Sequence, residues 1–195
     1  LARPHVLALP VMIAWVSGLV SASDRGKAPP FSLLPLMILW ANLHGGFVFG
    51  LALIGAFALD ALWNAEAAQR KQVAVRWIVF ALAAIGASCI TPYGWGSLLA
   101  ARNILSLGEV LSLIVEWRPA DFSHVNALGV CLLALLGLAL HGGVSLKLPR
   151  VLLVLGLVQM ALAHNRNSEI FAFLLPLVVV EPLAAQFAIR RTTVA

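Results

Sequence analysis

Residues 31–63 read FSLLPLMILWANLHGGFVFGLALIGAFALDALW, an apolar run that is interrupted once, by ANLHGG. An apolar run split by a glycine pair is typical of two antiparallel helices joined by a short turn. The sequence therefore predicts a helical hairpin closed by Gly45 and Gly46, with glycine in the left-handed conformation that often ends a helix. The same break also contains Asn42 and His44, which a turn alone does not require.

The composition indicates the environment in which this chain folds, a lipid bilayer or water. Hydrophobic residues make up 62% of it and charged residues 11%, whereas soluble domains average roughly 45–50% and about 25%. The chain is therefore predicted to be an integral membrane protein whose main partner is the lipid bilayer. Its net charge of +5 comes from short basic clusters between apolar blocks, as in membrane loops, and this distribution argues against a nucleic-acid partner.

Seven apolar blocks define the predicted fold, at residues 6–20, 31–43, 47–63, 73–90, 125–140, 151–163 and 170–185. A spanning helix needs about 20 apolar residues, so several blocks are long enough only for half-spans. We predict an all-α fold, a polytopic transmembrane helical bundle with about seven spans or half-spans, as a single domain over 1–195. Leu1 is not Met and no leader precedes the first block, so a fragment of a longer protein is expected.

Residues 94–117 are predicted to form an additional amphipathic helix that lies in the membrane interface. Their polar side chains recur at spacings of three and four residues and so form one stripe on an apolar helix: Arg102, Ser106, Glu109, Ser112 and Glu116. A spanning helix would bring Arg102 and Glu109 near the bilayer centre, at a cost of roughly 2.5–3.5 kcal/mol for the arginine.

The basic residues then predict the orientation. With the chain starting outside, nine of the 13 Lys and Arg residues fall in loops on the inner side: Arg25, Lys27, Arg70, Lys71, Arg76, Lys147, Arg150, Arg190 and Arg191. The positive-inside rule favours this arrangement over one in which 94–117 spans. Asp60, close to the inner end of its block, is expected to reach the interface or to pair with Arg76. Cys89 and Cys131 lack metal-site spacing and are expected to be buried, unreactive thiols.

The same orientation collects the chemically costly residues on the outer side. The candidate binding residues are Arg3, Asn42, His44, Glu116, Arg118, His164 and Arg166. Each has a plainer explanation: LHGG as a turn, EWRPADFSH as a solvated loop and HNRNSE as the end of a span. LHGG occurs again at residues 140–143, on the predicted inner side, so the tetrapeptide alone does not indicate a ligand site. No set of residues has a persuasive metal-ligand spacing, and no cofactor is identified.

Several short motifs carry a family resemblance over nearly the whole chain. RPH before a span, LWANLHGGF, TPYG, IVEWRPADF and a late HNR before a span resemble a group of bacterial polytopic membrane proteins. These are similar to the GT-C glycosyltransferases, the class of the dolichyl-phosphate-mannose protein mannosyltransferases. The resemblance implies a multi-pass protein of the bacterial inner membrane that uses a polyprenyl-phosphate-linked sugar as a substrate at the outer face.

The chain departs from the GT-C pattern in one respect. The resemblance implies a catalytic Asp or Glu in the first outer loop, and no acidic residue precedes the first span here. The catalytic residue is therefore unknown, and neither Glu116 nor Asp121 is assigned to catalysis. Arg3, Arg118 and Arg166, with His44 and His164, are expected to line the outer cavity and neutralise a lipid-linked phosphate. The alternative is a non-enzymatic polytopic protein, a transporter or a scaffold.

Overall fold

The computed structural model describes the backbone of residues 4–105 and 117–194, and side chains within 6–100 and 117–188. In this part of the chain there are eight α-helices and no strand, which confirms the all-α fold. They are α1 (Pro4–Asp24), α2 (Leu34–Leu43), α3 (Phe47–Asn64), α4 (Arg70–Ser88), α5 (Gly96–Leu105), α6 (Ala127–Gly142), α7 (Leu148–Ala163) and α8 (Asn167–Val194). A 3-10 turn, Phe31–Leu33, precedes α2.

Each of the seven predicted apolar blocks coincides with one helix. Four of these helices contain a segment long and apolar enough to cross a membrane: Val6–Asp24, Phe47–Asn64, Arg70–Ser88 and Asn167–Ala188. Three shorter apolar helices complete the set: Phe31–Leu43, Ala127–Gly142 and Leu148–Ala163. A helix of 16 residues is about 24 Å long, against a hydrocarbon core of about 30 Å. The protein is therefore a helical membrane protein with long and short apolar helices.

Helix α5 begins within the predicted interfacial segment, after a turn in which Gly94 has a φ of +51°. The helical prediction is confirmed for Gly96–Leu105. Residues 106–116 lie outside the described part, as do the side chains of the polar stripe, so the interfacial placement stays a prediction. Two compact units divide the chain, Leu1–Leu107 and Gly108–Ala195. We call them unit 1 and unit 2, and the prediction of one domain over 1–195 remains untested.

Unit 1 is a bundle in which α1, α2, α3 and α4 pack around aromatic side chains. Its fully buried residues include Trp15, Trp77, Phe57 and Phe80, and the Trp15 and Phe80 rings stack with centroids 5.7 Å apart. Trp15 Nε1 donates to the carbonyl of Gly50, at 3.0 Å. This bond satisfies the indole N–H inside an apolar core and ties α1 to α3.

At each end of unit 1, a polar contact joins two parts of the bundle. At one end, Ser23 Oγ donates to Asp60 Oδ2 at 2.7 Å, and both residues are buried. At the other end, Asn42 Nδ2 donates to the carbonyls of Ile38 and Ile90, at 2.8 and 2.9 Å. The ends of α1 and α3 thus lie together, and the ends of α2 and α4 lie together at the opposite side of the bundle. This agrees with the up-and-down order predicted from the loops. The expectation that Asp60 reaches the interface is wrong, because its carboxylate is enclosed between α1 and α3.

Unit 2 contains an antiparallel pair, α7 and α8, and the more exposed α6. Arg150 was predicted to lie in an inner loop, but it lies in α7, is 3% exposed and donates from Nη1 to the Val178 carbonyl at 2.7 Å. Pro182 lies within α8. Because proline has no N–H, the Val178 carbonyl, four residues earlier, lacks its helical donor. Arg150 supplies the missing hydrogen bond from the neighbouring helix, which is how membrane helices tolerate internal proline.

Helix α6 presents most of its side chains to the surroundings. Leu133 is 71% exposed and Leu140 is 78% exposed, as expected for a helix that faces lipid. The expectation that both cysteines are buried is wrong. Cys131 is exposed because it lies on α6, and Cys89, at the end of α4, is half-buried. The end of α6 is held by Gln186 of α8, whose Nε2 donates to the carbonyl of Gly143 at 2.8 Å.

Candidate functional site

The predicted binding residues fall into three groups in the structure. Arg3 and Glu116 lie outside the described residues. Asn42 and His44 belong to unit 1, at the turn between α2 and α3. Arg118, His164 and Arg166 belong to unit 2, and the fold brings these three together. The structure thus assembles one local cluster from two separate motifs, EWRPADF and HNRNSE.

Backbone hydrogen bonds hold the first of these motifs against the second. Ala120 N donates to the carbonyl of Leu162 at 3.0 Å, and Asn165 N donates to the carbonyl of Arg118 at 2.9 Å. The loop after residue 117 therefore lies along the end of α7 and the turn into α8. This pairing satisfies backbone groups that helix ends leave open, and so it fixes the loop in register.

Trp117 is the centre of the cluster. The ring of His164 packs edge-on against its indole with centroids 5.5 Å apart, and Cζ of Arg166 lies 4.4 Å from the indole centroid. This distance is that of a cation–π contact, which contributes about 0.5–2 kcal/mol depending on solvent exposure. We refer to Trp117, Arg118, His164 and Arg166 as the Trp117 cluster.

The hydrogen bond of His164 determines its tautomer. Its Nδ1 lies 2.8 Å from the carbonyl oxygen of Trp117. A carbonyl only accepts, so Nδ1 carries the proton and Nε2 is the acceptor atom of the neutral ring. His164 also ends α7, since its backbone N–H donates to the carbonyl of Met160 at 3.2 Å. The ring is thus oriented by both its stacking and its hydrogen bond.

The start of α8 adds to the positive potential at the cluster. Arg166 directly precedes Asn167, the first residue of α8, so its charge lies beside the positive end of the helix dipole. Asn167 Nδ2 is engaged elsewhere, donating to the Met160 carbonyl at 3.1 Å. The neighbouring Ser168 Oγ is buried without a hydrogen-bond partner among the described atoms. Arg166 is therefore held beside the start of α8, and the buried Ser168 hydroxyl follows it two residues later in the chain.

Asp121 takes part in local structure beside the cluster. Its Oδ1 accepts from Ser123 N at 2.8 Å. This backbone hydrogen bond, followed by one from the Ser123 hydroxyl, lowers the pKa of the fully exposed Asp121 carboxyl below its usual value of 3.8. Further along the same loop, Asn126 caps α6, because its side-chain oxygen accepts from Gly129 N at 2.7 Å. Asp121 thus shapes the turn, in keeping with the prediction that leaves it out of catalysis.

The two unit 1 candidates are engaged in holding their turn. Both hydrogens of the Asn42 amide are used, because Nδ2 donates to two carbonyls. His44 Nδ1 accepts from Gly46 N at 3.0 Å, and His44 itself ends α2 in an extended conformation. These contacts give both residues a structural role. Their role as cavity-lining residues stays a prediction.

The two copies of LHGG differ in the structure. In the first copy Gly46 is right-handed with a φ of −62°, so the predicted left-handed glycine is wrong there. A Cβ on Gly46 would lie 2.9 Å from His44 Nδ1, so any larger residue would displace the imidazole from this position. In the second copy Gly143 has a φ of +56° and ends α6 in the left-handed conformation. One tetrapeptide thus makes two different turns.

Sequence reasoning missed the central residue of the cluster. Trp117 reads as an ordinary interfacial aromatic, because its partners lie some 47 residues away in sequence. Ser168 was also not singled out, and nothing in its local sequence marks it. In the described part of the chain, no three His, Cys, Asp or Glu side chains are grouped to hold a metal ion.

Comparison with known proteins gives no assignment for this arrangement. No protein-family model, curated protein or solved structure matches the chain.

Proposed function

We propose that the Trp117 cluster binds the phosphate of a lipid-linked substrate, as part of a GT-C-like glycosyltransferase in the bacterial inner membrane. The substrate is a polyprenyl-phosphate-linked sugar, used at the outer face. The observation that carries the proposal is the position of Arg166, held over the Trp117 ring where the apolar helix α7 ends. An arginine at the end of a membrane helix meets anionic headgroups at the level where they lie.

The roles of the cluster residues follow from their contacts. Arg166 offers a planar fork of N–H donors to two phosphate oxygens, and Trp117 restricts the guanidinium before the ligand arrives. His164, with Nδ1 engaged, turns Nε2 toward the ligand and donates to a phosphate oxygen when it is protonated. Arg118 is exposed and adds a second positive charge. In a transfer reaction these cations stabilise the departing phosphate.

The acceptor in such a reaction must be activated by a carboxylate. No residue of this chain is assigned to that role, and the catalytic residue remains unknown. Arg3, Asn42, His44 and Glu116 remain predicted binding residues and are not part of the Trp117 cluster.

The proposal is tested by the binding of a long-chain polyprenyl phosphate to the purified chain in detergent micelles or nanodiscs. Arg166→Gln should weaken binding roughly 10- to 100-fold, the value of one or two hydrogen bonds to a charged group. Arg166→Lys should weaken it less, because the charge remains while the fork is lost. Lys147→Gln is the matched control, since Lys147 precedes α7 at the end opposite His164. Equal affinity of Arg166→Gln and the unchanged protein would exclude the cluster as the phosphate site.

A second candidate function is that of a non-enzymatic polytopic protein such as a transporter. It is favoured by the burial of Asp60, 2% exposed, and Arg150, 3% exposed, since ionisable groups within membrane helices often mark transport pathways. Both side chains have structural partners in the described residues, and this makes the transporter the weaker candidate. Release of polyprenyl phosphate from a lipid-linked sugar by the protein in proteoliposomes would separate the two functions.

A further inference from the structure

One end of unit 1 carries a group of exposed basic side chains. The hydrogen bond between Ser23 and Asp60 brings the end of α1 to the end of α3, and α4 starts a few residues later. We call this the basic end, formed by the exposed residues Arg25, Lys27, Arg70, Lys71 and Arg76. The exposed acidic residues at the same end are Asp24 and Glu66. The basic end therefore has an excess of positive charge.

Arg76 has an unusual position within this group. It lies inside the candidate span Arg70–Ser88, six residues beyond the helix start and so about 9 Å along its axis. Beside it, Val75 is 52% exposed and Val79 is 48% exposed, while the neighbouring Trp77 is buried in the bundle. Arg76 thus stands at the border of an apolar face that contacts lipid chains in a bilayer.

A guanidinium at this depth needs an anionic partner. Burying an unpaired arginine in the acyl region is costly, so the side chain extends toward the headgroups. Arg70 is partly engaged, since its Nε donates to the carbonyl of Ala65 at 3.2 Å. Among the described residues, Lys71 and Arg76 form no side-chain hydrogen bond and no ion pair. Two basic side chains of one helix end are therefore available to a ligand outside the protein.

We propose that the basic end binds the headgroups of anionic phospholipids, with Lys71 and Arg76 as the principal contacts. At about 100° per residue, Lys71 and Arg76 border the two sides of the exposed face formed by Val75, Val79 and Leu82. Lipids whose acyl chains lie along this face can present their phosphates to either cation. Several unpaired cations favour a headgroup with net negative charge over a zwitterionic one, whose phosphate is compensated by its own amine. The exposed Trp63 at the end of α3 is the aromatic residue expected at the same interfacial level.

The test uses the full chain reconstituted into vesicles of equimolar phosphatidylcholine and phosphatidylglycerol. Native mass spectrometry then counts the lipids that remain bound after release into detergent. The unchanged protein should retain phosphatidylglycerol in several-fold preference. The double variant Lys71→Gln and Arg76→Gln should lose most of this preference, because the attraction of one cation to an anionic surface is worth up to roughly fivefold.

Three controls distinguish this site from general charge effects. Arg76→Lys should keep most of the preference, since it keeps the charge at the same depth. Glu66→Gln removes a negative charge from the basic end and should increase it. High salt should weaken the preference by screening exposed charges. Equal retention of both lipids by the unchanged protein, or an undiminished preference in the double variant, would overturn the proposal. This result is independent of the polyprenyl phosphate experiment, which concerns Arg166 in unit 2.

Discussion

At the scale of single residues, the glycines of α3 show how a close approach between helices depends on one missing methyl group. A Cβ on Gly50 would meet the Trp40 ring, with Cε3 at 3.0 Å, whereas a Cβ on Gly55 would have no atom within 4 Å. The same residue, Gly50, also accepts the indole hydrogen bond of Trp15. Trp15 of α1 and Trp40 of α2 therefore both contact α3 at Gly50.

Gly50→Ala should accordingly destabilise unit 1 by about 1–3 kcal/mol, the usual cost of overpacking a filled core. Gly55→Ala, five residues later in the same helix, should be neutral or stabilise by up to about 1 kcal/mol, because alanine is the better helix former. Thermal unfolding of the purified variants in detergent measures both. A similar loss for the two variants would show that the Trp40 contact is not the reason for glycine at position 50.

Ser23 is a second residue whose effect depends on one contact. Ser23→Ala removes the hydrogen bond to the buried Asp60 carboxylate, and we expect a loss of about 1.5–3 kcal/mol in the free energy of unfolding. Asp60 would keep its other contacts, among them Asn64 Nδ2 at 3.4 Å. Ser21→Ala, half-buried on the same helix, serves as the control and should change stability little. Equal effects of the two substitutions would contradict a specific role for the Ser23 hydrogen bond.

At the scale of elements, α8 is continuous through two internal prolines because another helix compensates for one of them. Pro182 frees the Val178 carbonyl, and Arg150 of α7 donates to it. Burial of the guanidinium is thus linked to the proline one turn away along α8. Arg150, one of the basic residues that predict the membrane orientation, joins α7 to α8 in the fold.

This linkage predicts a rescue. Arg150→Met should destabilise the protein by about 1–3 kcal/mol, because the buried Val178 carbonyl loses its donor. In the Pro182→Ala background the loss should be smaller by about 1 kcal/mol or more, since an alanine N–H can bond to that carbonyl instead. Chemical unfolding of the four proteins in detergent gives the coupling energy.

Pro176→Ala is the control for this cycle. It restores an N–H to the same helix, but the carbonyl concerned is that of Ala172, about 9 Å from Val178 along the axis. It should therefore give no rescue of Arg150→Met. Additive losses in the Pro182→Ala background would instead mean that Arg150 stabilises the protein through other contacts.

At the scale of the whole molecule, the predicted orientation remains to be measured. Single cysteines at positions 44, 118 and 166 should react with a membrane-impermeant reagent from outside, and those at 27, 71 and 147 only after the inside is exposed. The background must first have Cys89 and Cys131 replaced by Ala, because Cys131 is exposed. Labelling of position 118 from the inside would reverse unit 2 and remove the Trp117 cluster from the outer face.

The helices themselves were predictable because their signals are local. Blocks of apolar residues of a given length, broken by Gly-Gly or basic clusters, predicted all seven apolar helices. The ends were less certain: α8 continues to Val194, beyond the predicted residue 185, because its polar last turns no longer resemble a membrane span yet still form helix. The left-handed glycine predicted from LHGG occurs in the second copy, at Gly143, but not in the first, so the tetrapeptide alone does not decide the geometry of the turn.

The candidate site was predictable only in part. Arg118, His164 and Arg166 were singled out from two motifs by charge and predicted side, and the fold does bring them together. Trp117 could not be identified as their common centre, because no local pattern connects residues in different motifs. Asp60 shows the same limit: its partner Ser23 lies 37 residues away, and its burial depends on how α1 packs against α3.

The sequence by itself therefore determined the membrane environment of this protein, its helical class and the positions of its apolar helices. These depend on the hydrophobicity and length of continuous segments, which are local properties of the chain. Only the tertiary structure decided which polar groups are enclosed and which are available. Asp60 and Arg150 are buried, each with its own hydrogen-bond partner, while Lys71 and Arg76 stay exposed near the start of α4. The physical reason is that the cost of burying a charge is set by the groups that packing brings to it from distant parts of the chain.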